Sequence, residues 1–236
     1  AVNSEKPLHY ASNLKMLTTA AAHHYLGGGF RFFTMFSFDP VDSTLYIKAA
    51  GDPEMVIEKM WVLAHELKRK GVDKVKKVVV DDYIYGEKGY YFVEGGKYGD
   101  NAYLAHISPL GLNYNSVEIT VEATDPDKPV NVTLTTPGPH FVINNSAIST
   151  KGAENGLIVG SVPKDGKTEI VVRGALGVNR TRPVVVYKRV SNPVNHYVET
   201  LLFLLGEKSS VPIERKRPVS YTHLRDHETV LDLVCR

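Results

Sequence analysis

The chain has 236 residues and 26.2 kDa, of which 43% are hydrophobic and 23% charged. This ordinary composition excludes collagen-like and wholly disordered readings and supports a sizeable core. Lys+Arg 28 against Asp+Glu 26 leave a formal +2, too weak a field for binding by neutralisation of many phosphates, so no nucleic-acid partner is expected. No run of about 18 apolar residues is present to span a bilayer. Ala1 to Pro7 show no basic stretch ahead of an apolar run, so no signal peptide is visible, and the single Cys235 excludes an intramolecular disulfide.

In chain order, Leu14, Leu17, Thr18, Ala21 and Tyr25 recur at helical spacing and predict a helix from Ser12 to about Leu26, stopped by Gly27-Gly28-Gly29. Phe30–Phe38 and Ser43–Ala50 are β-favouring runs separated by the turn-like Asp39-Pro40-Val41-Asp42. From Pro53 to Lys70, Val56, Met60, Leu63, Ala64 and Leu67 share one helix face, and Gly71 ends it. Lys77–Asp82 reads as a strand buried through Val78, Val79 and Val80, followed by a Gly- and Tyr-rich loop from Tyr83 to Asn101. Short β-type runs then follow at 117–121, 130–135, 156–162, 168–173 and 183–189, suggesting a mostly β insertion. Asn192-Pro193 opens a last amphipathic helix through Leu205, before Gly206.

The pattern Ser-x-x-Lys occurs twice, at Ser12–Lys15 and Ser161–Lys164. On a helix, residues three apart are neighbours, so Lys15 can bring its amine beside the Ser12 hydroxyl. A serine becomes a useful nucleophile when an adjacent base takes its proton, and the helix N-terminus offers N–H groups to developing negative charge. Ser161 has no such setting, because Val162-Pro163 followed by Lys164-Asp165-Gly166 reads as a strand running into a turn. A serine at a helix start is ordinarily an N-cap, so spacing alone leaves both roles open for Ser12.

The flanks are more specific. Tyr10-Ala-Ser12-Asn-Leu-Lys15-Met-Leu-Thr-Thr-Ala-Ala-Ala22, with Leu26-Gly27 and Phe30-Arg31-Phe32-x-Thr34, resembles the first active-site motif of peptidase family S13, the D-alanyl-D-alanine carboxypeptidases also called class C low-molecular-mass penicillin-binding proteins. Similar stretches follow in the family's order. They are Leu45-Tyr46-Ile47 with Gly51-Asp52-Pro53, Leu63-Ala64 to Leu67 with Gly71-Val72, Val79-Val80-Asp81-Asp82, Tyr103-x-Ala105 with Ser108-Pro109-Leu110-x-x-Asn113-x-Asn115, and Ile158–Pro163. The resemblance covers roughly residues 7 to 212.

It implies an α/β (α+β) fold, part of a penicillin-binding-protein or β-lactamase-like transpeptidase domain interrupted by a largely β insertion. The implied divisions are 1–38 for the N-terminal part of the catalytic domain, 39–190 for the inserted region, 191–212 for the return to the catalytic domain and 213–236 for a suspected non-native tail. Within that tail, residues 219–236 resemble translated adapter read-through; the alternative is an amphipathic terminal helix with Leu224, Val230, Leu231 and Val234 on one face.

By the same resemblance Ser12 is the nucleophile, Lys15 the proton acceptor and Asp100 a substrate-binding residue. The partners are peptidoglycan stem peptides, with β-lactams as inhibitors, no metal or organic cofactor is needed, and the location is periplasmic or extracellular. Two departures stand out. Tyr10 replaces the family's proline, and the Ser-x-Asn and Lys-Thr-Gly motifs are absent, Lys167-Thr168 being followed by Glu169. The expectation is a C-terminally truncated fragment, inactive by itself. The rival expectation is a non-catalytic peptidoglycan- or partner-binding module. Asp81-Asp82 is expected to be a strand-end turn, and the adjacent His23-His24 are not spaced as a zinc pair.

Overall fold

The computed structural model describes residues 5–7, 9–86, 99–207 and 211–216, and the backbone of 229–234. The middle of the loop expected after Tyr83, Cys235 and most of the segment beyond 216 lie outside the described residues.

Helix α1 (Leu14–Leu26) is followed by β1 (Phe33–Asp39), β2 (Thr44–Lys48), α2 (Ile57–Arg69) and β3 (Lys77–Asp81). Strand β1 alternates as its sequence requires, with Thr34, Phe36 and Phe38 turned inward and Phe33 and Met35 outward. In β3 all three valines are buried. The strand lies inside the sheet, pairing in parallel with β2 on one side and with β12 (Ile213–Arg215) on the other.

Helix α2 buries Met60, Leu63, Ala64 and Leu67, the i, i+3, i+4, i+7 stripe of its sequence. Its first turn borrows a cap from afar, since Ile57 N–H donates to Asn113 Oδ1 at 2.9 Å. Helix α3 (Pro193–Leu205) carries its own signals. Asn192 Oδ1 accepts from Asn195 N–H at 3.1 Å, proline occupies the first turn, and Gly206 ends the helix with φ +85. Replacing Asn192 by Ala is expected to cost about 1 kcal/mol of stability, read as a lower urea midpoint with an unchanged slope.

Within residues 191–212, α3 packs in the same core as α2. Val194, Tyr197, Val198 and Leu201 pack with Met60, Leu67, Phe36, Ile47 and Val78. The expected boundary after residue 38 falls inside β1, whose neighbour β2 shares that core. Residues 213–215 of the suspected tail are integrated as β12. The backbone of 229–234 forms a further strand, β13, antiparallel to β1 and not the helix that its apolar spacing allows.

A second core belongs to the expected β insertion. Strands β4 (Ser116–Glu122), β5 (Asn131–Leu134) and β11 (Val184–Arg189) form one antiparallel sheet in the order β11-β4-β5. Strands β6 (Phe141–Asn145), β8 (Ile158–Lys164) and β9 (Lys167–Arg173) form another, in the order β6-β9-β8. The short β7 (Ile148–Thr150) and β10 (Ala175–Gly177) pair in parallel beside them.

Val117, Ile119 and Val121 of β4 meet Ile170 and Val172 of β9 across the interior, with Val130, Ala147 and Leu176 completing it. The β8–β9 turn is Asp165-Gly166, with φ +49 and +77, the two left-handed residues that a tight hairpin demands. The sandwich leans on α3, where His140 Nδ1 lies 3.0 Å from Glu199 Oε2 and Ser191 N–H donates to Thr168 Oγ1 at 2.9 Å.

Candidate active site

The Ser-x-x-Lys segment folds as a one-turn 3-10 helix, Ala11–Asn13, that runs directly into α1. Ala11 takes a left-handed φ of +44 and Asn13 N–H donates to Tyr10 O at 2.9 Å. Ser12 therefore sits in the winding start of the helix and Lys15 one turn along. The Ser12 side chain is not spent as a cap, because neither the 3-10 turn nor α1 has a side-chain cap hydrogen bond.

Both residues are exposed, and among the described residues no hydrogen bond joins the Ser12 hydroxyl to the Lys15 amine. The backbone supplies the expected spacing; the side chains are not brought together in an enclosed cleft. The whole of α1 shares this exposure. None of its residues is buried, and Leu17 and Tyr25 of its apolar stripe are 68% and 82% exposed. A 13-residue helix is marginal without packing, so this segment gains little from the two cores described above.

Asp100 is held elsewhere, at the joint of the sandwich. Its Oδ1 accepts from Lys188 Nζ at 2.8 Å and its Oδ2 from Ser161 N–H at 2.9 Å, while its carbonyl accepts from Arg189 N–H at 2.8 Å. Burial pushes the Asp100 carboxyl up, but the hydrogen bonds from Lys188 and Ser161 outweigh it and set its pKa below the usual carboxylate range. Asp100 is not joined to Ser12 or Lys15 by any contact among the described residues.

The second Ser-x-x-Lys is structural, as its strand pattern predicts. Ser161 Oγ donates to Arg189 O at 2.9 Å, and Lys164 pairs with Glu169 at 2.7 Å. Asp81 closes β3, and its Oδ1 accepts from Tyr83 N–H at 3.3 Å, in keeping with a strand-end turn. Its neighbour Asp82 is fully buried and gripped by Arg215. Among the described residues no group of three or more His, Cys, Asp or Glu is placed to hold a metal ion, and no helix is long and apolar enough to cross a membrane.

Reasoning from spacing missed the work of the paired asparagines. Asn113 caps α2 and donates to Thr136 Oγ1 at 3.1 Å, while Asn115 accepts from Leu112 N–H and donates to His106 O at 2.8 Å. Residues 113–115 all have left-handed φ between +48 and +57. The available signal was asparagine itself, which tolerates that conformation better than other non-glycine residues.

Helices on a mixed sheet, with a β sandwich spliced between β3 and α3, make a mixed α/β architecture. Penicillin-binding protein 4 (dacB) from Haemophilus influenzae matches with a TM-score of 0.68 at 19% identity, over 94% of this chain and 51% of its own. The same protein complexed with a novel β-lactam matches with a TM-score of 0.61 at 18% identity, over 94% and 49%. At these identities the likeness is one of fold, and the chain spans about half the length of the solved structures that it resembles. Residues 2–212 match the D-Ala-D-Ala carboxypeptidase 3 (S13) family, and the chain belongs to that family. No curated protein sequence gives a significant match.

Proposed function

We propose that this chain is the Ser-x-x-Lys-bearing part of a serine D-Ala-D-Ala carboxypeptidase that trims peptidoglycan stem peptides outside the cytoplasmic membrane. The observation that carries the proposal is the family match over residues 2–212, which includes Ser12 and Lys15 one helical turn apart with the serine hydroxyl free of any capping duty.

In this reading Ser12 Oγ attacks the carbonyl carbon of the terminal peptide bond while its proton passes to Lys15 Nζ. The proton is then delivered to the departing amine of D-alanine, and water hydrolyses the resulting ester to regenerate Ser12. Asp100 contributes to stem-peptide binding in the same reading. Two of its roughly four acceptor positions are taken by Lys188 and Ser161, and its side chain is 30% exposed, which leaves room for a donor from a ligand.

The exposure of Ser12 and Lys15, and the absence of Ser-x-Asn and Lys-Thr-Gly from the 236 residues, support the further proposal that these residues alone release no D-alanine above background. An oxyanion contact and recognition of the substrate carboxylate must be supplied by other groups. The grouping of the cores supports a domain division in which α1 belongs to the catalytic domain. The inserted region then comprises the sheet-and-helix unit, from 33–81 with 193–215, and the sandwich of 116–189.

The test is covalent labelling by a fluorescent penicillin of the gene product that also carries both missing motifs. Labelling is expected to vanish in Ser12→Ala and to slow by at least about 100-fold in Lys15→Ala. Undiminished labelling of Ser12→Ala would refute the assignment and favour a binding module.

A further inference from the structure

Strands β8 and β11 are the edges of their two sheets, and they face each other across an open groove of about 590 Å³. One end of the groove is latched. Asp100 bonds both strands through Ser161 N–H and Arg189 N–H, Ser161 Oγ reaches Arg189 O, and Asn101 forms a bridge with Lys188. Beyond the latch the two edges separate, and no ladder joins them among the described residues.

The direction of the backbone groups along these edges follows from bonds already given. In an antiparallel pair, alternate residues turn both N–H and C=O toward the partner or both away from it. Val190 N–H reaches Asn115 O on the β4 side, whereas Arg189 N–H points to Asp100. Tyr187 and Val185 therefore turn their backbone groups away from β4. Thr135 N–H, donating from the β5 side to Glu118 O opposite Tyr187, confirms the register.

On β8, Ser161 N–H points off the edge to Asp100, so Val159 and Pro163 also face outward. The position of Pro163 agrees, since a proline is tolerated where the missing N–H belongs to a free edge. The groove thus presents the Val159 amide and carbonyl on one wall, with the Val185 pair and Tyr187 N–H on the other. These are donors and acceptors at strand spacing with no strand between them among the described residues.

The walls also define the occupant. Leu157, Val159, Val184 and Val186 are partly buried apolar residues, and the one charged side chain lining the groove, Lys188, is neutralised by Asp100 at 2.8 Å. The site suits uncharged side chains. A folded sheet edge from a second copy carries flanking strands, and a groove walled on both sides admits only a single extended segment.

We infer that this groove binds an extended L-polypeptide segment of a partner protein by strand addition to the free edge of β11, a site separate from the proposed acyl-enzyme chemistry. A stem peptide ending in D-alanine residues would turn its terminal side chains to the wrong face of the pleat, so it is not the expected occupant.

The experiment is fluorescence anisotropy of the chain with a dye-labelled hexapeptide, Thr-Val-Thr-Val-Thr-Val, amidated at its C-terminus. Saturable binding with a Kd below about 1 mM is expected, weakened at least about tenfold for the all-D peptide and for the peptide N-methylated at every residue. Val185→Pro is expected to cause a similar loss, because it removes an outward N–H and leaves the β4 ladder intact. If circular dichroism shows that this variant fails to fold, the N-methylated peptide provides the same comparison on unaltered protein. Absence of binding below that concentration overturns the inference, as does equal binding of L and D peptides or insensitivity to N-methylation. It is equally overturned by tighter binding of a D-Ala-D-Ala stem peptide at this edge, or by self-association that Val185→Pro abolishes.

Discussion

Arg215→Ala is expected to lower the unfolding free energy by about 3 kcal/mol, measured by urea denaturation at neutral pH. Arg215 Nε lies 3.0 and 2.9 Å from the two oxygens of Asp82, and its Nη2 lies 2.9 Å from Oδ1. The aspartate side chain is 0% exposed and the arginine 33%. That asymmetry sets the size of the effect. Without Arg215 a carboxylate stays in the interior with no cation, whereas without Asp82 the guanidinium can still turn to water. Asp82→Ala should therefore cost less than Arg215→Ala, and the double variant less than the sum of the two. Additive losses would show that the pair is not coupled. The pair also fixes β12 to the end of β3, which makes the measurement a test of whether residues 213–215 belong to the folded unit.

The second large effect is a pH dependence centred on His196. Burial lowers its pKa well below the ordinary histidine value, with the charge of His140 as the further cause. Neither of its ring nitrogens has a hydrogen-bond partner among the described residues, and its ring centroid lies 5.2 Å from that of His140. The unfolded chain takes up a proton at His196 below about pH 6.5, while the folded chain keeps the ring neutral. The unfolded state thus binds more protons on acidification, and stability falls by about 1.4 kcal/mol per pH unit below that point until the depressed folded value is reached. His196→Leu removes the titration without orphaning a partner. Urea midpoints should fall less steeply from pH 7 to 5 for the variant than for the parent chain. Parallel curves for the two proteins would disprove the assignment.

Most of the local order was legible in the sequence because its causes are local. The three valines of β3, the i, i+3, i+4, i+7 stripe of α2, and the Asn192-Pro193 start and Gly206 stop of α3 are short-range signals read by the backbone itself. Strands β6, β7 and β10 were missed because their stability comes from distant partners. Phe141–Asn145 ends in two asparagines and is held in parallel against β9, and Ile148–Thr150 and Ala175–Gly177 are three residues each. The same limit applies to the candidate site. The spacing of Ser12 and Lys15 was written in a tetrapeptide, but their exposure depends on what packs against α1, which no tetrapeptide encodes. The latch on Asp100 joins residues 61 and 88 positions away, and the clamp on Asp82 spans 133.

The hydrogen bonds from Arg189 to Asp100 and from Val190 to Asn115 bring the chain's path into the sandwich alongside its path out. Such adjacency makes the sandwich a cassette. Its host must close the same short gap whatever the cassette contains, and closure entropy rises only with the logarithm of loop length. Loops at the far end of the sandwich can therefore change length at small closure cost, while its face on α3 is held by the His140–Glu199 and Thr168–Ser191 contacts.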